Sequence, residues 1–313
     1  MSLKDSPLNK LVYGDGNEIK LPSTRKQAFV FYGKEHFGKL ILTSLICFAF
    51  FIPAIIWLYV MNYARAEALA ALDATAETYL QQYSSLLVAH ALKTYLVLIP
   101  FIAVGFVGLA GGFTIVKKII FNERSNYSVF WKGIAGNWFF FAVWGIVFGI
   151  SYFLLRFDTT YYTVGALHPA VKGIFIGVGV LQFVFVAMMT PFFCTGCVVY
   201  KYKLGQALKN AALLTFSRLF VNFAVVTVCF APLVAVAFIP SPFQLIGLAV
   251  IAVFYCGYAL LAFSCYCNHL FDVYINPKLG GEYVGKGLRR KDCSDAQPAK
   301  ENVENDVTSG EDN

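Results

Sequence analysis

Two cysteine pairs supply the residues closest to chemistry in this chain. Cys194-Thr195-Gly196-Cys197 lies near the end of one long apolar run. Cys265-Tyr266-Cys267 lies near the end of another, with His269 just beyond. The charge distribution described below puts both on the cytoplasmic side, at matching depths. Four thiolates meeting there could bind zinc or a softer metal. Two considerations favour packing instead. Cys behaves as a small apolar residue inside a helix bundle, and a reducing compartment does not sustain disulfides. The expectation is that Cys194, Cys197, Cys265 and Cys267 are structural, with metal ligation as the competing reading. No cofactor is expected.

Asn268, His269 and Asp272 form a second candidate group. His269 and Asp272 share a helix face and could act as an acid–base pair. A polar helix end at the headgroup boundary accounts for the same residues. The chain has no phosphate-binding Gly-x-x-x-x-Gly-Lys-Ser/Thr and no His-Glu-x-x-His. No enzymatic activity is expected.

The elements carrying these residues are written in the charge pattern. Residues 219–271 contain no Asp, Glu, Lys or Arg, and 40–64, 94–116, 133–155 and 173–200 are also uncharged. A membrane helix needs about 20 apolar residues. The last run is long enough for two crossings, with Pro240-Ser241-Pro242 as the turn between them. Charged residues make up 14% of the chain, against about a quarter in a soluble domain. A transmembrane β-barrel would show short alternating strands, which these runs exclude. The predicted fold is an all-α membrane protein. Its six spans lie near 40–61, 94–116, 137–155, 173–198, 219–239 and 244–266.

Basic residues set the orientation. Of 25 Lys and Arg, 21 fall in segments 1–39, 117–136, 199–218 and 267–313. Only Arg65, Lys93, Arg156 and Lys172 fall on the other side. Both termini are therefore expected in the cytoplasm. The net charge of +7 reports this topology and a bilayer partner with anionic headgroups; nucleic-acid binding is not indicated. The organisation is a cytoplasmic N-terminal arm (1–39), a six-span domain (40–275) with an external helical segment (62–92), and a cytoplasmic tail (276–313). The arm carries seven Lys/Arg, too many for a signal-peptide n-region, so the first span is expected to act as an uncleaved insertion signal. Its end, from Phe29 to Lys39, reads either as a segment on the inner membrane surface or as the flank of that span. In the tail, Lys286, Arg289, Arg290 and Lys291 form a basic cluster, followed by an acidic stretch whose composition is that of a disordered segment.

Small residues four apart, Gly108/Gly112, Gly145/Gly149 and Gly173/Gly177, permit close helix approach. Packing within the chain is the first reading and dimerisation the second. Pro53, Pro100, Pro191 and Pro232 interrupt four spans. Freed carbonyls there could line a solute path, or the kinks are repaired by neighbouring side chains. No ionisable residue sits at mid-membrane, where a coupled transporter would often carry one. Two cytoplasmic connections look alike: Lys117-Lys118 leads to Asn137, and Lys201-Tyr202-Lys203 leads to Asn222. Each predicts an interfacial helix between two spans. A parallel duplication and chance likeness both explain this.

Several of these segments resemble the YesL-like membrane proteins of Gram-positive bacteria. The likeness is carried by Asp5-Ser6-Pro7-Leu8-Asn9-Lys10-Leu11, by the stretch from Gly108 through Lys117-Lys118 to Phe130-Trp131-Lys132 and Asn137-Trp138, and by Tyr200 through Ala211. It resumes at Asn268-His269-Leu270-Phe271-Asp272 and ends at Asn276-Pro277. The chain departs from that pattern in an insertion at about 57–107. The resemblance implies a bacterial plasma-membrane protein that assists or regulates carbohydrate uptake, with sugar-transporter subunits as partners. It carries over no catalytic residues. A small-solute transporter or channel is the alternative.

The topology is directly testable. Reporters at Asn313 and before Ser2 should be cytoplasmic, and a thiol label at Gln82 should react from outside intact cells. Labelling at Gln82 only after membrane rupture would contradict the six-span arrangement.

Overall fold

The computed structural model describes residues 21–165, 167–200, 202–239, 241–280 and 283–288. The motif at 5–11, the basic residues 289–291 and the acidic tail lie outside these. All elements among the described residues are helical: α1 (Arg25–Glu35), α2 (Phe37–Ala70), α3 (Tyr79–Ile120), α4 (Ser128–Val164), α5 (Pro169–Val199) and α6 (Leu204–Ser217) come first. They are followed by α7 (Leu219–Ala237), α8 (Ser241–Val250), a π-helical turn (Ile251–Tyr255), α9 (Cys256–Tyr274) and α10 (Asn276–Leu279). Six are long and apolar enough to cross a membrane: α2, α3, α4, α5, α7, and the segment from α8 into α9. The chain is a polytopic membrane protein. We call the end of the bundle that carries α1, α6 and 283–288 the base.

Four helices, α2 to α5, are longer than the hydrocarbon core is thick. The 42 residues of α3 extend about 63 Å at 1.5 Å per residue, twice the roughly 30 Å of a hydrocarbon core. The good helix formers of 62–92 make extensions of α2 and α3, and only 71–78 connects them.

The third helix is the hub. It packs against α4 most extensively and then against α2, with α9 and α5 also touching it. Glycines make this possible, because without a Cβ the backbones come close. A methyl group on Gly108 would lie 2.5 Å from the Phe50 ring, and one on Gly112 would meet Leu260 and the Cys47 thiol. Across the α3–α4 seam, a methyl on Gly145 would lie 2.7 Å from the Ala103 backbone, and one on Gly149 3.1 Å from that of Ile99. The third pair behaves differently: neither Gly173 nor Gly177 has an atom within 4 Å of such a methyl. Gly257, absent from the small-residue pairs, is pressed onto the Leu40 carbonyl.

Breaks in the helices have local remedies. The π-helical turn disturbs the carbonyl ladder of the sixth span; the Ser44 hydroxyl donates to the Ala252 carbonyl at 2.8 Å. Beside Pro191, Trp144 donates to the Thr190 hydroxyl at 3.0 Å, and Thr190 donates to the Val186 carbonyl. The Trp144 ring stacks on Phe193 at 4.6 Å. Each helix continues through its proline.

The two look-alike connections differ. After α5 the expected separate helix forms as α6. It breaks at Arg218, and Asn222 reaches back to donate to the Leu214 and Thr215 carbonyls at 3.0 and 2.8 Å. Those carbonyls sit in the last turn of α6, where intrahelical partners run out. In the first connection, only 121–127 is non-helical. The amphipathic stretch there is the start of α4 itself, and Asn137 donates one turn back to Gly133 at 3.1 Å.

Replacing Gly108 with Leu should lower stability by about 1–3 kcal/mol through overpacking, read as a drop in detergent melting temperature. Leu109→Ile should be milder. Gly173→Leu, facing open space, should stay within about 0.5 kcal/mol of wild type. Equal melting of Gly108→Leu and wild type would remove the close contact from the argument.

Candidate functional site

Of the polar residues near the ends of the fourth and sixth spans, Tyr200, Asp272 and Asn276 meet at the base. Helix α1 is the element that organises them. Thr24 caps it by accepting from the Gln27 amide at 3.2 Å, and Arg25, Ala28, Tyr32 and Gly33 form its buried face. Instead of lying apart on a surface, this face packs on α9. Tyr258 donates to the Gly33 carbonyl at 3.0 Å.

Arg25 on this face meets Asp272 in the last turn of α9. The guanidinium donates to one carboxylate oxygen from Nη2 at 2.8 Å and from Nε at 3.0 Å. Its Nη1 donates to the Lys286 carbonyl at 3.1 Å. The second Asp272 oxygen accepts from Asn276 Nδ2 at 2.7 Å and from the Gly285 amide at 3.0 Å. The pair is enclosed, with side-chain exposures of 6% and 13%. Charges removed from water need partners on every face, and these have them.

The network extends outward. The Tyr200 hydroxyl donates to Asn276 Oδ1, which ties the end of α5 to α10. Tyr200 also stacks on Tyr202 and meets Phe271 edge-on. Tyr32 donates to the Gly287 carbonyl at 3.0 Å. Burial pushes the Tyr32 phenol up to about 12, with Glu35 adding to the shift, and burial raises Tyr200 further. Both phenols stay protonated near neutrality and remain donors. Lys117 donates to the Val198 carbonyl at 2.8 Å and joins the ends of α3 and α5.

This arrangement fastens helices. Asp272 is engaged by Arg25, Asn276 and Gly285, while His269 is exposed. The suggested His269/Asp272 pair therefore does not form, because Arg25 occupies the carboxylate. Cys194 and Cys197 on α5, and Cys265 and Cys267 on α9, are buried free thiols. Among the described residues, no group of three His, Cys, Asp or Glu side chains could hold a metal ion.

Sequence reading missed Arg25, which it counted as one more topological charge. Its partner is 247 residues away, beyond any local pattern. A partial signal was present: Tyr200 and Asn276 lie in two of the short motifs singled out in the sequence, and these two residues bond. Comparison with protein-family models, with curated proteins and with solved structures finds no match.

Asp272→Ala would leave the Arg25 charge buried without its counterion. Breaking such a pair typically costs about 3–5 kcal/mol, visible as a large fall in melting temperature. Arg25→Met combined with Asp272→Leu should recover part of the loss. A double variant as unstable as Asp272→Ala would show that the charges contribute more than their removal leaves uncompensated.

Proposed function

We propose that this chain is a non-enzymatic accessory protein of the bacterial plasma membrane that works by contacting other membrane proteins. The observation carrying this reading is the contrast between its base and its flank. At the base, Arg25, Asp272, Asn276 and Tyr200 are bound to one another. On the flank, α7 has only 11% of its apolar window buried within the chain, against 44% for α3, and Gly173 and Gly177 on α5 face open space. Bare small residues let a partner helix approach closely. The resemblance to YesL-like proteins supplies the process, carbohydrate uptake, and the partner class, sugar-transporter subunits. In this reading the base and both termini are cytoplasmic, as the basic residues direct.

One observation favours a small-solute transporter or channel instead. The Ser151 and Ser264 hydroxyls are buried and have no hydrogen-bond partner, although buried polar groups are nearly always paired. A solute path would give them partners.

Purification from membranes after in-cell crosslinking, together with reconstituted sugar flux, separates the two. The accessory role requires co-purifying transporter subunits and vesicles no more permeable than empty ones. Flux by the chain alone, without a partner, would replace it with the transport reading.

A further inference from the structure

Residues 283–288 are a short stretch with little regular structure, yet they touch three separate elements at the base. Their backbone makes the decisive contacts. The Lys286 carbonyl accepts from Arg25, the Gly287 carbonyl accepts from Tyr32, and the Gly285 amide donates to Asp272. The first two hold α1, and the third holds α9. Lys286 adds a side-chain hold on the loop after α3: its ammonium lies 3.3 Å from Glu123 and 4.9 Å from the centre of the Phe121 ring.

The fit depends on two glycines. Gly285 and Gly287 have φ of +66° and +83°, values that L side chains rarely adopt. Gly287 also lies so close to the Ile120 carbonyl and the Phe121 backbone that no side chain would fit there. Any larger residue at that position must push the segment out of its slot.

Apart from this segment, α1 rests chiefly on α9. Its junction with α2 is the single residue His36, whose φ of −108° and ψ of 25° interrupt the helix. That junction can swing without unwinding either neighbour. Tyr283, Val284 and Lys286 are exposed, and a six-residue segment held mainly by backbone bonds has the low local stability of elements that open first.

We propose that residues 283–288 are a latch and that α1 is a releasable arm. With the latch seated, Arg25 keeps its third hydrogen bond and the Tyr32 hydroxyl keeps its acceptor, and α1 stays on α9. With the latch withdrawn, both lose those acceptors, Asp272 loses the Gly285 amide, the Arg25–Asp272 pair opens to water, and α1 swings about His36. Release uncovers the apolar face of α1 around Ala28 and Tyr32, and the surface of α9 beneath it. The device is built into the fold and is independent of what the flank contacts.

Hydrogen–deuterium exchange of the full chain in detergent tests this, with two variants: Gly287→Val and a chain ending after Glu282. Amides of 25–35 should exchange at least tenfold faster in both variants, while those of 256–271 keep their wild-type protection. Unchanged exchange of 25–35 in both variants would overturn the latch. Equal acceleration of 25–35 and 256–271 in both would also overturn it, since α1 would then open only with the bundle.

Discussion

A backbone carbonyl or amide in hydrocarbon has no water to turn to, and this constraint shapes the whole molecule. It makes every apolar run a helix. It also requires that each departure from regular helix be answered nearby. Ser44 answers the π-helical turn at Ala252. Asn222 answers the end of α6, and its own carbonyl oxygen is met by Tyr266 at 2.5 Å. These polar side chains are few and buried, and each sits where a ladder is interrupted. They read as repairs to backbone before they read as sites.

Hydrophobic burial gives little guidance to helix pairing in such surroundings, since lipid tails are as apolar as a neighbouring helix. Close approach takes its place. The glycines of α3 and α4 bring those helices together, and bulky rings such as Phe50, Phe106 and Trp144 fill the space beside them. Where bare glycine meets nothing, as on the outer face of α5, the chain stops packing on itself. The base follows other rules. There a buried ion pair joins α1 to α9, and orientation comes from directed bonds rather than from fit.

Much of this architecture was legible in the residues. Lack of charge over long runs survives any error in boundary placement, so six spans and the helical extensions of 62–92 could be read directly. The sixth span was placed at 244–266 but its helix runs to Tyr274, because Asn268 and Asp272 looked like an exit to water. In fact Asn268 bonds to the Ser264 carbonyl within the helix and Asp272 to Arg25. The first interfacial helix was misplaced for a similar reason. An amphipathic stretch looks the same whether it ends at an Asn cap or runs on into the span, and only the direction in which Asn137 bonds tells the two apart. Of the base network, the motif residues Tyr200, Asp272 and Asn276 stood out. Their convergence did not, because no spacing rule reaches across the bundle.

The union of Arg25 with Asp272 also orders events in time. Helix α1 leaves the ribosome before α9, since the partner of Arg25 is 247 residues behind it. At about 5–20 residues per second, that delay is on the order of tens of seconds. Throughout it, Arg25 lacks its Asp272 partner, and the apolar side of α1 has no α9 to rest on. Docking becomes possible only when the last span is in the membrane and the chain has turned back beneath it. A molecule with α1 seated is therefore one whose sixth span is already in place, and the base is a seal on the assembled bundle.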